Sequence, residues 1–174
     1  MILITGGSKC GKSALGEKLL CSCHMPKIYI ATMLPYGDEA HEAISRHRKI
    51  REGKGFETVE RYTDIDSLCI PDGCAVLLEC MGNLCANEMF EAGECDPCSK
   101  IIDGINKLTE RASLLVVITN QVDSDGIKYS KETMRYIENM GRINAALAQI
   151  SDCAIESVCG IPVFLKGGLP ECLS

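Results

Sequence analysis

Residues 6–13 read GGSKCGKS, so Gly6, Gly11, Lys12 and Ser13 satisfy the spacing G-x-x-x-x-G-K-[ST]. Ahead of this stretch lies ILIT, an apolar β-rich run. Behind it, KSALGEKLL carries helix formers with apolar Ala14, Leu15, Leu19 and Leu20. A strand that passes through such a loop into a helix is the context the motif requires. The glycines let backbone N–H groups turn inward around phosphate oxygens, and the helix N-terminus faces the same anion. Lys12 would reach the β- and γ-phosphates as a point charge, and the Ser13 hydroxyl would ligate Mg²⁺. A bound nucleotide is expected here.

The rest of the chain alternates in the same way. KIYIAT (27–32), CAVLLEC (74–80) and LLVVITN (114–120) read as buried strands, FETVE (56–60) as a short one, and GIPVFLK (160–166) as the last of the sheet. Between them, EAHEAISRHRKI, SKIIDGINKLTERA and KETMRYIENMGRINAALAQIS read as helices; in the second of these Ile101, Ile102, Ile105 and Leu108 share a face. Near-continuous apolar strands separated by helices imply a doubly wound, mostly parallel sheet with helices on both faces. With the loop at its start, this is a P-loop NTPase-like (RecA-like) α/β fold. Residues 1–166 are expected to form one nucleotide-binding domain, with 167–174 as a loosely held tail.

Composition narrows the function. A formal charge of −6 over 174 residues argues against a sequence-independent nucleic-acid binder. No apolar run approaches the roughly 20 residues of a membrane span. Functional sequence begins at Ile2, which leaves no room for a signal peptide, so a cytoplasmic protein is expected. In a reducing compartment the twelve cysteines are expected to be thiols. The pair Cys95 and Cys98 has no second pair to complete a zinc site. Cys80 and Cys159 read as small core residues, and Cys10 lies inside the phosphate loop.

Three polar residues stand out beyond the loop. Glu79 ends AVLLE, where an acid organising Mg²⁺ belongs, although an ordinary strand-end acid fits the same place. Asn120 ends LLVVITN and either faces the same crevice or forms a turn. His47 stands among Arg46, Arg48, Lys49 and Arg51 in an otherwise acidic chain. It is either a solvated residue on a basic helix end, suited to the helix dipole, or a nucleophile held where phosphates arrive. In the second case, attack on an α-phosphorus gives a phosphoramidate, with the neighbouring guanidiniums offsetting charge on the transferring group.

ILITGGSKCGKSALGE, YIAT, RHRKIR, ETVE, VLLEC, VVITN, GRIN and GIP occur in the order seen in the bifunctional adenosylcobinamide kinase/adenosylcobinamide-phosphate guanylyltransferases of cobalamin synthesis. The chain resembles this CobU family from Ile2 to about Lys166. The resemblance implies two reactions: phosphorylation of adenosylcobinamide by ATP or GTP, and GTP-dependent guanylylation of an enzyme histidine followed by transfer to adenosylcobinamide phosphate. By this likeness the histidine is His47. Nucleotide contacts fall on Gly6, Gly7, Ser8, Lys9, Cys10, Gly11, Lys12 and Ser13, on Ala31, Thr32 and Met33, on Arg48, Lys49, Ile50 and Arg51, and on Glu60 and Glu79. Ser13 and Glu79 would hold Mg²⁺. A homotrimer is implied by the same likeness. This chain departs from the family pattern at Glu52, where proline is usual, at Phe56 in place of tryptophan, and at Gln121 and Asp123 in place of glutamate and glycine.

Three other readings share the loop. A regulatory GTPase would use TNQVD and ECMG, but Gln121 stands for the required lysine and Glu79 for the aspartate. A monofunctional small-molecule kinase needs the loop, Mg²⁺ and an acid but no histidine. A nucleotide-sensing binder needs only the loop.

Overall fold

The computed structural model describes residues 1–122, 129–170 and 173, apart from the side chains of Glu39, Ala43 and Ile50. The chain runs β1 (Ile2–Thr5), α1 (Lys12–Cys21), β2 (Lys27–Ala31), α2 (Gly37–Arg51), β3 (Phe56–Glu60), a 3₁₀ turn (Ile65–Ser67), β4 (Ala75–Glu79), α3 (Met81–Phe90), α4 (Pro97–Arg111), β5 (Leu114–Ile118), α5 (Lys131–Ile150), β6 (Cys153–Val158) and β7 (Ile161–Lys166). The seven strands form one sheet in the order β3-β2-β4-β5-β1-β6-β7. Every pairing is parallel except β6 with β7.

Strand residues point alternately to opposite faces, so a buried parallel strand must be apolar on both. Here the two faces sort cleanly. Leu3, Ile28, Ile30, Val76, Leu78, Leu115 and Val117 pack under α3, α4 and α5 with Met81, Leu84, Ile101, Ile105, Met140 and Ile143. Ile2, Ile4, Tyr29, Leu77, Val116 and Ile118 face the opposite layer, where Leu20 of α1 joins them. A side chain at Gly16 of α1 would stand 2.9 Å from Leu77 and 3.3 Å from Ile118, so α1 lies close over β4 and β5. The expected doubly wound α/β sheet is therefore the observed one.

Several features differ from the sequence reading, among them the unforeseen helix α3. β6 is an additional strand, and the turn that follows it makes β7 antiparallel. β7, the strand at the edge of the sheet, is exposed along its whole length. Cys159 is an exposed turn residue with φ 50° rather than part of the core, since the chain must reverse between β6 and β7. Of the described tail residues, Leu169 and Leu173 pack against the second core layer. Gly167, at φ 60°, sits so close to the Asp152 carbonyl that no side chain would fit. No helix among the described residues is long and apolar enough to cross a membrane.

Candidate active site

Parallel strands expose free backbone ends at their carboxyl edge, and helices that start there add their own positive ends. The phosphate loop occupies this edge after β1. It needs unusual backbone: φ is 137° at Gly6, 58° at Lys9 and 94° at Gly11. A Cβ at Gly6 would approach the Ser157 carbonyl to 2.8 Å and Cys10 Sγ to 2.9 Å. The loop is braced from outside by the β6–β7 hairpin, where Ser157 Oγ, near the end of β6, and the Gly160 N–H, in the turn, both donate to the Cys10 carbonyl, at 2.8 and 2.9 Å. The Lys12 ammonium is buried and donates to the carbonyls of Gly6 at 2.9 Å and Gly7 at 2.5 Å.

Two chambers meet beside the loop. The first is an open crevice of about 630 Å³, lined by Ser8, Lys9, Cys10, Gly11, Lys12 and Ser13 on one side and by Met33, Arg46, His47, Glu79, Cys80 and Asn120 on the other. The second is a narrow, mainly apolar cleft of about 60 Å³ between α2 and strands β2, β3 and β4. Tyr29, Ala31, Ile44, Arg48, Arg51, Thr58, Glu60 and Asn83 line the second chamber alone. Met33, His47, Glu79 and Cys80 border both. The geometry thus puts His47 and Glu79 on the shared wall, although they come from α2 and the end of β4.

Glu79 is held at both oxygens: Ser13 Oγ donates to Oε1 and Tyr29 donates to Oε2 at 2.9 Å. Burial, reinforced by the Glu79 carboxylate, holds the Tyr29 phenol far above its ordinary range, so it remains a donor. Arg51 is buried with its guanidinium 3.5 Å above the Tyr29 ring centroid, a cation–π contact. Its Nε and Nη1 have no hydrogen-bond partner among the described residues. Arg48 pairs with Glu60. Hydrogen bonds from Tyr62 and Arg48 hold the Glu60 carboxyl below the usual range. Ser13 and Glu79 supply oxygen donors at the mouth of the loop, the type that a hard cation such as Mg²⁺ accepts when phosphates and water complete its shell. No cluster of three or more His, Cys, Asp or Glu side chains suited to a metal occurs among the described residues.

Most residues singled out in the sequence converge here, but not all. Thr32 is fully buried and turned into the protein, where its hydroxyl lies within 3.0 Å of the Glu79 and Cys80 carbonyls and accepts from the Cys80 N–H. Lys49 lines grooves on the outer side of α2, away from the loop. The Ile50 side chain and Asp123 lie outside the described residues. Gln121 donates its backbone N–H to the Gly6 carbonyl at 3.3 Å and its side-chain amide to Glu156. Asn144, from GRIN, joins β5 to α5: it accepts from Thr119 at 2.5 Å and donates to the Asn120 carbonyl at 3.1 Å. The sequence reading missed Tyr29, Asn83 and Ser157. Tyr29 hides in an apolar strand run, whereas GIP was a visible sign of the brace, since Gly160 packs against Gly11.

A parallel sheet, a phosphate loop at its carboxyl edge and an acid on a neighbouring strand define a P-loop NTPase-type nucleotide-binding protein. An ATPase from the type III secretion system of pathogenic bacteria shares the fold, with a TM-score of 0.51 and 16% identity over 99% of this chain. This chain spans 59% of that one. Residues 2–165 match the family model for cobinamide kinase / cobinamide phosphate guanyltransferase, CobU. The chain belongs to this family. It is 30% identical to the bifunctional adenosylcobalamin biosynthesis protein CobU of Escherichia coli, covering 95% of this chain and 99% of that relative. It is 25% identical to CobP of Pseudomonas aeruginosa, which bears the same description, over 95% of this chain and 96% of that one.

Proposed function

We propose that this protein phosphorylates adenosylcobinamide with ATP or GTP, and then uses GTP to guanylylate adenosylcobinamide phosphate through His47. The observation that carries this reading is the position of His47 on the wall common to the phosphate crevice and the narrow cleft. A kinase alone has no use for a nucleophile there.

In the first reaction the loop N–H groups and Lys12 hold the triphosphate, and the substrate hydroxyl attacks the γ-phosphorus while the nucleoside diphosphate leaves. In the second, a His47 ring nitrogen attacks the α-phosphorus of GTP, forming a P–N bond as the bond to pyrophosphate breaks. An oxygen of the cobinamide phosphate then attacks the same phosphorus and releases the imidazole. Arg46 and Arg51 line the chambers on either side of His47 and offset the negative charge of the transferring group. Bound Mg²⁺, held by Ser13 and Glu79, would supply charge neutralisation at the phosphates.

The test is incubation with α-labelled GTP, followed by denaturation. The wild type should retain acid-labile, base-stable label. His47→Asn should retain none, yet still phosphorylate cobinamide at a rate within a few-fold of wild type, since that transfer goes directly to the substrate. Label on His24 or His41, or an adduct surviving in His47→Asn, would refute the assignment.

A homotrimer is part of the same proposal. Its support is the family likeness and the exposed apolar side chains Ile161 (65%), Phe164 (48%) and Leu165 (59%) along the edge strand β7. Light scattering should give three times the 18.9 kDa chain mass. The reading also puts the protein in the cytoplasm, where nucleoside triphosphates are kept and the eleven described cysteines remain free thiols.

A further inference from the structure

Helix α2 rests on the sheet along a thin line. Ala40, Ile44 and His47 are half-buried, and of the described side chains on this helix Arg51 alone is fully buried. These positions are spaced four, three and four apart, so they form one stripe, and His47 and Arg51 stand one turn apart on it. The seat of Arg51 is the face of Tyr29, with the guanidinium 3.5 Å from the ring centroid. The ring is itself fixed edge-on by Phe56, with centroids 6.4 Å apart and planes at 86°. At its far end the same side chain donates its hydroxyl to Glu79 Oε2 at 2.9 Å, while Ser13 occupies Glu79 Oε1.

We propose that Tyr29 is a positioning residue which sets two parts of the active site at once: its hydroxyl orients the Glu79 carboxylate at the phosphate loop, and its ring face seats the turn of α2 that carries His47. Tyr29 touches neither reacting phosphorus; it acts through Glu79 and Arg51. This assignment rests on the roles given above to Glu79 and His47. It explains why a tyrosine stands in a strand whose neighbours Ile28 and Ile30 are aliphatic. Leucine or isoleucine would fill the layer but could neither donate to the carboxylate nor offer a π face to the guanidinium.

Two substitutions separate the two functions. Tyr29→Phe keeps the ring and removes the donor. Its affinity for a fluorescent GTP analogue in EDTA should stay within about twofold of wild type, while the Mg²⁺ concentration giving half-maximal enhancement of that affinity should rise about tenfold, as for loss of a hydrogen bond to a charged group. His47 should still take label once Mg²⁺ is saturating. Tyr29→Leu removes the ring as well, so labelling of His47 should stay low at saturating Mg²⁺ and GTP, a loss in kcat rather than KM.

A wild-type Mg²⁺ response in Tyr29→Phe would overturn the proposal. So would equal losses of metal-free and metal-dependent binding in both variants alongside a lowered Tm, which would make Tyr29 a packing residue only. If the wild type itself takes no label, the transferase reading fails, and the comparison of Mg²⁺ responses still decides the role of the hydroxyl.

Discussion

Ser13 and Glu79 share a hydrogen bond across 66 positions of sequence, joining the first turn of α1 to the last residue of β4. The bond exists because β5 alone separates β1 from β4 in the sheet, so both carboxyl ends open into one crevice. Replacing Glu79 by glutamine keeps the size but removes the charge, and the amide end must face a hydroxyl that now has no acceptor. Turnover in Mg²⁺ should fall at least about tenfold, with nucleotide binding in EDTA changed by about twofold or less. Titrating nucleotide with and without metal checks this, and parallel losses would make Glu79 structural.

Lys12→Ala should disable both half-reactions. The ammonium is buried against the Gly6 and Gly7 carbonyls, already at the centre of the loop. Losing a charge-assisted phosphate contact should weaken nucleotide binding by about 1.5–3 kcal/mol. Calorimetric affinity near that of the wild type would remove the loop from the site.

Gly6 and Gly7 make an internal comparison. Gly6→Ala meets the Ser157 carbonyl and Cys10 Sγ at a φ that side chains rarely adopt, whereas a Cβ at Gly7 meets nothing within 4 Å. Gly6→Ala should cost about 1–3 kcal/mol of stability and most nucleotide affinity. Gly7→Ala should leave the melting temperature unchanged. Thermal unfolding of the pair settles it, and equal behaviour would contradict the close approach.

Asp64 provides a pH test away from the site. Lys100 bridges it to the fully buried Glu88, and the hydrogen bond from Lys100 holds the Asp64 carboxyl below its ordinary range. A depressed folded-state value means that the stabilisation is fully present above the unfolded carboxylate pKa near 4 and disappears as pH falls through the folded value. Because Asp64 is half exposed, the effect of Asp64→Asn at pH 7 should be under about 1 kcal/mol. Asparagine also tolerates the backbone at φ 53°. Urea melts of the two proteins should converge as pH falls below about 4; a constant gap would show that the charge is not responsible.

The central strands were legible because a parallel strand covered on both faces leaves little choice but aliphatic residues, as in LLVVI. β6 was not, since CAIESV carries Glu156, which accepts from the Gln121 side chain, and Ser157, which braces the loop, where a core strand would carry aliphatic residues. α3 was missed for a related reason: its inner face includes Gly82, Asn87 and Glu88, buried through specific partners that no periodicity reveals. Asn87, for example, donates to the carbonyls of Thr32 and Tyr62. The loop, His47 and Glu79 could be picked out by residue type and spacing. The second layer around them could not, because a buried arginine on a tyrosine face is a fact of packing, and Arg51 in sequence is one more member of a basic cluster.

The grip of Ser157 and Gly160 on the Cys10 carbonyl bears on how the protein is made. β1 lies between β5 and β6, so it waits for partners that begin only at Leu114 and Cys153. Its loop gains a brace only when Ser157 and Gly160 have left the ribosome, the first of them 147 positions after Cys10. Contacts so distant in sequence form late, and a nascent chain halted before β6 should not hold a nucleotide however complete its glycine-rich motif. The nucleotide cannot guide the early folding of its own binding loop; it can only stabilise a chain that already extends past the turn between β6 and β7.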